Sequence, residues 1–224
     1  MDIASMPRKK AYKSLAMEGM IATWYAKNTA KSLHEFEACA ARIAAHLGSD
    51  SRVLEVAPGP GYLAIALARL GPYRIAGIDI SRSFVSVAAE NAAGAGVEVE
   101  FQHGDAAAIP YPADTFDFIV CRAAFKNFSD PVGALGEMHR VLRPGGETLI
   151  IDTRKDASNK AIDRAVDEMK LGRMNALITR AIFKYSLRKR AYSKADFLRM
   201  VAATPFRSAE IREETLGFDV WLRK

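Results

Sequence analysis

The stretch VLEVAPGPGYLAIALA, residues 53–68, constrains the fold more than any other part of the chain. It begins as a short apolar run typical of a buried strand, passes through two Pro-Gly pairs, and continues with alanine and leucine at helical spacing. The pattern predicts a strand, a tight turn and a helix. In an open α/β sheet, such a turn lies where a ligand binds, beyond the carboxyl end of the first strand. An ordinary strand-to-helix turn without a ligand is the alternative for the glycines alone.

The alternation of strand and helix continues along the chain. Apolar runs predict strands at residues 74–80, 97–102, 116–121 and 147–152, with helices at 81–93 and 130–142. The remainder predicts a basic helical stretch at 156–190, a helix at 193–203, and two strands at 208–215 and 218–223. We therefore expect a doubly wound, mostly parallel α/β sheet with an antiparallel C-terminal strand.

Charge follows the same division of the chain. Residues 1–47 carry 7 basic and 4 acidic groups, residues 48–151 carry 8 and 12, and residues 152–224 carry 17 and 10. The pattern indicates one domain, residues 1–224, with an acidic core and basic flanks. We divide it into an N-terminal helical cover, a ligand-binding core, a helical cap, and a C-terminal helix and strand pair, at residues 1–47, 48–152, 153–192 and 193–224.

Cysteine usage and hydropathy indicate the compartment. Cys39 and Cys121 lie far apart and outside any CxxC pair, which excludes a disulfide scaffold and a zinc-ribbon site. His34 and His46 lack partners at metal-ligand spacing, so we predict no metal. No apolar run approaches the roughly 18 residues that span a bilayer. We expect a cytoplasmic protein without a transmembrane segment.

Acidic residues follow the first three predicted strands. Glu55 precedes the glycine turn, Asp79 ends the second strand 18 residues beyond Gly61, and Asp105 follows the third. Glu55 would repel a pyrophosphate, and the chain lacks the Gly-Lys-Ser/Thr that holds a triphosphate. The spacing of Asp79 suits an acidic side chain that binds ribose hydroxyls. A ligand with a ribose and a positive charge fits this pattern.

Residues 51–152 resemble class I S-adenosylmethionine-dependent methyltransferases, particularly the group that includes ubiquinone and menaquinone biosynthesis methyltransferases. The motifs are VLEVAPGPGYLAIALA, GIDIS, GDAAAIPYPADTFDFIVCRAAF and HRVLRPGGETLIID, in the family's order. The resemblance implies a Rossmann-like seven-stranded sheet, S-adenosylmethionine as cofactor, and methyl transfer to a small molecule. In-line displacement from a sulfonium chiefly requires alignment of the acceptor and exclusion of water.

The resemblance also implies roles for individual residues. Glu55, Ala57 and Gly59 would line the methionine and sulfonium part, and Arg122 would face the methionine. Asp79 would bind the ribose hydroxyls, and Asp105 would accept from the adenine amino group. The other implied cofactor residues are Gly61, Ile80, Gly104 and Ala106. Ala57 replaces the first glycine of the family's acidic-x-Gly-x-Gly-x-Gly pattern, which costs little if its φ stays negative.

Candidate acceptor residues follow the fourth predicted strand and flank the core. Tyr25, in a segment resembling the family's N-terminal cover, and Asn127 are candidate positioning residues at the catalytic site. Phe125, Phe128 and Phe183 would contact the acceptor together with these two. Packing of the phenylalanines, and a surface role for Tyr25, are the alternatives. We interpret residues 153–192 as a substrate cap, with a solvated basic helix face as the alternative.

The acceptor class is narrowed by what the chain lacks. No Asn/Asp-Pro-Pro-aromatic motif follows the fourth strand, so DNA is not an expected substrate, and no recognised RNA-binding motif indicates RNA. We predict methyl transfer to an aromatic or apolar small molecule. A basic RNA- or lipid-headgroup-binding protein on the same fold, and a scaffold that binds cofactor without turnover, are the alternatives.

Overall fold

The computed structural model describes residues 17–168, 172–206 and 208–224. Its centre is a seven-stranded sheet in the order β3-β2-β1-β4-β5-β7-β6. The strands are β1 (Arg52–Val56), β2 (Arg74–Asp79), β3 (Glu100–His103), β4 (Phe116–Arg122), β5 (Leu142–Thr153), β6 (Ser208–Glu213) and β7 (Gly217–Arg223). Strands β1 to β5 pair in parallel, and β7 runs antiparallel between β5 and β6. The predicted fold class is confirmed.

Helices cover both faces of the sheet. Within the described ranges they are α1 (Met20–Thr29), α2 (Leu33–Ala44), α3 (Tyr62–Ala68), α4 (Arg82–Ala95), α5 (Pro131–Val141), α6 (Asn159–Glu168), α7 (Arg173–Ala181), α8 (Arg188–Arg190) and α9 (Lys194–Ala202). The helical stretch predicted at 156–190 is divided, since a π-helical segment, Ile182–Leu187, joins α7 to α8. No helix of the described residues is both long and apolar enough to cross a bilayer.

The alternation of side chains along β4 explains the two apolar cores. Phe118 and Val120 point into the core beneath α2 and α3, whereas Ile119 and Cys121 point into the core beneath α5 and α9. Successive strand residues face opposite sides of a sheet, so an uninterrupted apolar run is what a strand covered on both faces needs. This arrangement leaves the carboxyl ends of the parallel strands as the open edge of the sheet.

Local signals fix where the helices begin. Ser81 accepts a hydrogen bond from the backbone N–H of Phe84 at 3.1 Å and so caps α4. Asp130 caps α5 through the N–H of Gly133 at 2.9 Å. Ser193 and Asp196 form a reciprocal capping box at the start of α9. These caps place three helix N-termini at sites that the sequence marks.

Candidate functional site

A cavity of about 480 Å³ lies beyond the carboxyl ends of β1, β2 and β4. Its volume falls within the range of small-molecule sites. Its lining combines charged residues at the strand ends with five aromatic residues, which together we call the aromatic wall, namely Tyr25, Phe36, Phe84, Phe128 and Phe183. The cavity can therefore hold a polar ligand against the strand ends and an apolar one beside it.

Glu55 is a buried carboxyl group at the end of β1. Its side chain accepts a hydrogen bond from the backbone N–H of Ala64 at 2.9 Å, and the residue is only 3% exposed. Burial raises the pKa of Glu55 to about 8, against the opposing effects of the Ala64 hydrogen bond and the positive charge of Arg122. A cation arriving in the cavity would favour the ionised form of Glu55.

Asp79 ends β2 and holds the glycine turn in place. One of its oxygens accepts from the N–H of Gly59 at 3.1 Å, and the other accepts from the N–H of Ser81 at 2.8 Å. Burial raises the pKa of Asp79 to about 6 despite these two bonds. Each carboxylate oxygen has two acceptor sites, so both oxygens keep capacity for a ligand's hydroxyl groups.

The glycine turn has three residues in the left-handed region. Ala57, Gly59 and Gly61 have φ values of 58°, 54° and 80°. A Cβ on Gly59 would meet nothing within 4 Å, whereas a Cβ on Gly61 would lie 2.8 Å from the ring of Phe101. Gly61 therefore serves packing of the turn. The condition of negative φ at Ala57 is not met, because the turn requires a conformation that costs an L-residue about 1–2 kcal/mol.

Most of the predicted cofactor residues border the cavity. Arg122 lies 4.3 Å above the ring of Phe36 and pairs with the carboxylate of Glu35 at 3.0 Å. Asp105 accepts from the N–H of Ala107 at 2.9 Å. The cavity lining includes Glu55, Ala57, Gly59, Asp79, Ile80, Gly104, Asp105, Ala106 and Arg122, but not Gly61.

On the acceptor side, four of the five predicted residues border the cavity: Tyr25, Asn127, Phe128 and Phe183. Phe125 does not, because it is fully buried and packs 4.9 Å from the ring of Phe197 and 5.4 Å from that of Phe128. The packing alternative accounts for Phe125. Asn127 is 8% exposed, and the structure shows no partner for its side-chain amide within the described ranges.

Comparisons with known proteins agree with this geometry. The family described as "Methyltransferase domain" matches residues 54–150. Demethylmenaquinone methyltransferase of Deinococcus radiodurans is 37% identical over 145 residues, which are 63% of this chain and 59% of that protein. The chain thus spans less than two thirds of this relative's length.

Solved structures share the fold. A protein of Methanococcus maripaludis, assigned to the S-adenosyl-L-methionine-dependent methyltransferases, superposes with a TM-score of 0.75, 23% identity, and coverage of 98% of this chain and 96% of that one. The YcgJ protein of Bacillus subtilis gives a TM-score of 0.60 and 27% identity over 80% of this chain and 71% of that one. Residues 54–150 are a methyltransferase domain. The predicted family and cofactor are confirmed.

A buried ion pair in the methyltransferase domain was not predicted. Lys126 and Asp152 are each 5% exposed, and the Lys126 ammonium lies 2.7 Å from an Asp152 oxygen. The ammonium also donates to the carbonyl of Ala123, and the N–H of Lys126 donates to the other Asp152 oxygen at 2.8 Å. Lys126 borders the cavity. The available signal was the position of Asp152 at the end of the strand predicted at 147–152.

The N-terminal cover is fastened to the start of α4, at the rim of the methyltransferase cavity. Glu18 accepts from the N–H groups of Arg82 and Ser83, each at 3.1 Å. The Ser81 hydroxyl donates to the carbonyl of Met17 at 2.8 Å, and Met17 borders the cavity. Hydrogen bonds from Ser83 lower the pKa of Glu18. These bonds hold the cover beside Asp79.

Proposed function

We propose that this protein transfers a methyl group from S-adenosylmethionine to a small acceptor that is apolar or aromatic. The observation that carries the proposal is the division of one cavity between two buried carboxyl groups and an aromatic wall. A cofactor with a ribose and a sulfonium is complementary to the carboxyl groups. An apolar acceptor is complementary to the wall.

We assign the binding of the cofactor to residues at the strand ends. Asp79 would accept from the ribose hydroxyls, since its backbone partners leave acceptor sites on both oxygens. Glu55 would supply negative charge beneath the cation, and the cofactor, when bound, supplies an electrophilic methyl group. The open space above Gly59 lets a ligand approach the backbone closely.

We assign acceptor positioning to Tyr25 and Asn127. Both border the cavity, and neither polar side-chain group has a hydrogen-bond partner among the described residues. Phe128 and Phe183 would hold a flat acceptor and exclude water from the line of displacement. The name of the Deinococcus radiodurans relative makes a quinol of the demethylmenaquinone type the first acceptor to test.

The test is transfer of isotope-labelled methyl from S-adenosylmethionine to short-chain demethylmenaquinol and to a panel of simpler phenols. We expect labelled product from at least one aromatic acceptor. Asn127→Ala should lower kcat/KM by about 10- to 100-fold, through lost positioning of the acceptor. Asn175→Ala, at an exposed position on α7, is the matched control and should leave kcat/KM unchanged. Cofactor binding without transfer to any aromatic or apolar acceptor would contradict the assigned acceptor class.

A further inference from the structure

The cap helix exposes its apolar side. Met174, Leu177 and Ile178 on α7 are 70%, 63% and 50% exposed. The stripe continues through Ile182 and Tyr185 in the π-helical segment, which are 47% and 70% exposed. These residues recur at helical spacing and therefore form one face. Residues 153–192, interpreted from the sequence as a substrate cap, would be expected to turn this face toward the cavity, but none of the five residues borders it, whereas Phe183 does.

Two cations on the other side of the same helical stretch face α6. Arg180 pairs with Asp163 and Asp167 of α6. Lys184 pairs with Asp163 at 2.7 Å. Arg180 and Lys184 therefore do not belong to a solvated basic face, which was the alternative interpretation of this stretch. The orientation is inverted relative to a surface helix of a globular protein, which buries its apolar stripe.

A second apolar face lies on α1. Met20, Ile21 and Trp24 are 90%, 52% and 65% exposed, whereas Ala22 and Ala26 are buried. The two helical regions that carry these faces border the same cavity. Tyr25 of α1 lines it, and Phe183 of the π-helical segment that follows α7 also lines it. We call the exposed residues of both segments the apolar rim. Its members are Met20, Ile21, Trp24, Met174, Leu177, Ile178, Ile182 and Tyr185.

The two sequence segments that carry the apolar rim have charge of one sign, and the carboxylates near them, such as Asp163, Asp167 and Glu35, pair with Arg180, Lys184 and Arg122. Residues 19–34 and 173–195 contain no aspartate or glutamate. Exposed cations that have no carboxylate partner among the described residues flank the rim, namely Lys27, Lys31, Arg173, Lys189 and Arg190. Two copies of such a surface would repel each other if they met face to face. An anionic partner is the complementary one.

We propose that the apolar rim docks on an anionic lipid surface, so that the cavity opens toward the bilayer. Exposed leucine, isoleucine, methionine and tryptophan enter the headgroup boundary, and the flanking lysines and arginines contact anionic headgroups. An apolar acceptor could then pass from the lipid to the aromatic wall without crossing water. The docking goes beyond the proposed methyl transfer, and vesicle binding can be measured without turnover.

The test is co-flotation of the full chain with phosphatidylcholine vesicles, with and without about 30% phosphatidylglycerol. We expect binding to the anionic vesicles and at least about tenfold weaker binding to the neutral ones. The double variant Leu177→Glu/Ile178→Glu should lower partition to the anionic vesicles at least about tenfold. Leu70→Glu is the matched control, because Leu70 is 49% exposed beyond the end of α3, at the opposite edge of the sheet.

Tryptophan fluorescence localises the contact. The chain has two tryptophans, and Trp221 is only 9% exposed, so a blue shift on vesicle addition should come from Trp24 and be lost in Trp24→Phe. Absent vesicle binding would overturn the proposal, as would binding that the double variant leaves unchanged. A dimer that the double variant dissociates, without vesicle binding, would assign the rim to self-association instead. The affinity of the double variant for S-adenosylhomocysteine should equal that of the wild type, which separates this test from that of the proposed function.

Discussion

In most soluble proteins charged side chains are exposed and large apolar side chains are buried. The strand-end cavity and the apolar rim both break this rule, in opposite ways. The cavity lining buries the ionisable residues Glu55, Asp79 and Lys126, and Lys126 pairs with the buried Asp152, whereas the rim exposes large apolar side chains. Burial of charge and exposure of apolar area both cost free energy in the isolated chain. The chemistry of each region therefore indicates which ligand would offset this cost. A cationic ligand with hydroxyl groups would do so at the carboxyl groups, and an anionic surface with an apolar interior would do so at the rim.

The buried ion pair of Lys126 and Asp152 gives the largest expected effect. Lys126→Met leaves the buried Asp152 without its cation and should lower the free energy of unfolding by about 3–5 kcal/mol. Lys126→Met/Asp152→Asn should recover much of that loss, because no uncompensated charge then remains. Urea denaturation of both variants measures the difference. A double variant no more stable than the single one would show that the charge itself is not the cause.

Substitution of Asp79 tests whether the buried carboxyl groups bind the cofactor. Asp79→Ala should weaken the binding of S-adenosylhomocysteine by about 1–3 kcal/mol, through loss of charge-assisted hydrogen bonds. The readout is the ligand-induced rise in Tm, which falls as affinity falls. Asp50→Asn is the control, since Asp50 is exposed and its φ of 62° suits asparagine. An unchanged rise in Asp79→Ala would place the ribose elsewhere.

Glu55 gives the stability of the fold a pH dependence, which the comparison with Glu55→Gln isolates. Its pKa is about 8 in the fold and near 4.5 when unfolded, so its contribution is fully present below about pH 4.5 and is lost as pH rises through 8. The wild type should lose about 1–2 kcal/mol between roughly pH 6 and 8 relative to Glu55→Gln. Burial lowers the pKa of His139, but this contribution to the pH dependence is the same in both proteins and cancels in their difference. Parallel stability profiles for wild type and Glu55→Gln would refute this account.

Substitution of Ala57 has the smallest expected effect on stability. Ala57→Gly relieves a left-handed alanine at a cost in unfolded-state entropy and should stabilise the fold by about 0.5–1 kcal/mol. Ala124→Gly is the control, because Ala124 has a φ of −119° and should only lose stability on this change. Thermal unfolding measures both. Destabilisation by Ala57→Gly would mean that the methyl group packs well enough to outweigh the strain.

The positions of the strands along the chain were predictable from the sequence, because apolar runs and Gly or Pro turns are local signals. Asp79 and Glu55 were predictable for the same reason, since each lies at the end of a predicted strand. The Lys126–Asp152 pair depends on β4 and β5 being neighbours, and Lys126 carries no local sign of burial. The sequence shows only that Ala57 replaces a glycine of the family pattern. The strain at Ala57 follows from its positive φ, which only the structure gives.

The direction of the cap was not predictable from periodicity. The sequence between 173 and 190 has an apolar side and a basic side, and periodicity alone does not say which side faces the protein. Asp163 and Asp167 decide it, because they draw Arg180 and Lys184 inward. Tertiary packing likewise decides the place of Phe125, which lies in the core against Phe197, while Phe128 borders the cavity.

Calorimetric titration of the full chain with S-adenosylhomocysteine tests the central claim most directly, that the buried carboxylates of the cavity serve this cofactor. We predict saturable binding with one site per chain, and a lower affinity in Asp79→Ala than in Asp50→Asn. No detectable heat of binding at millimolar ligand, in folded protein, would contradict it.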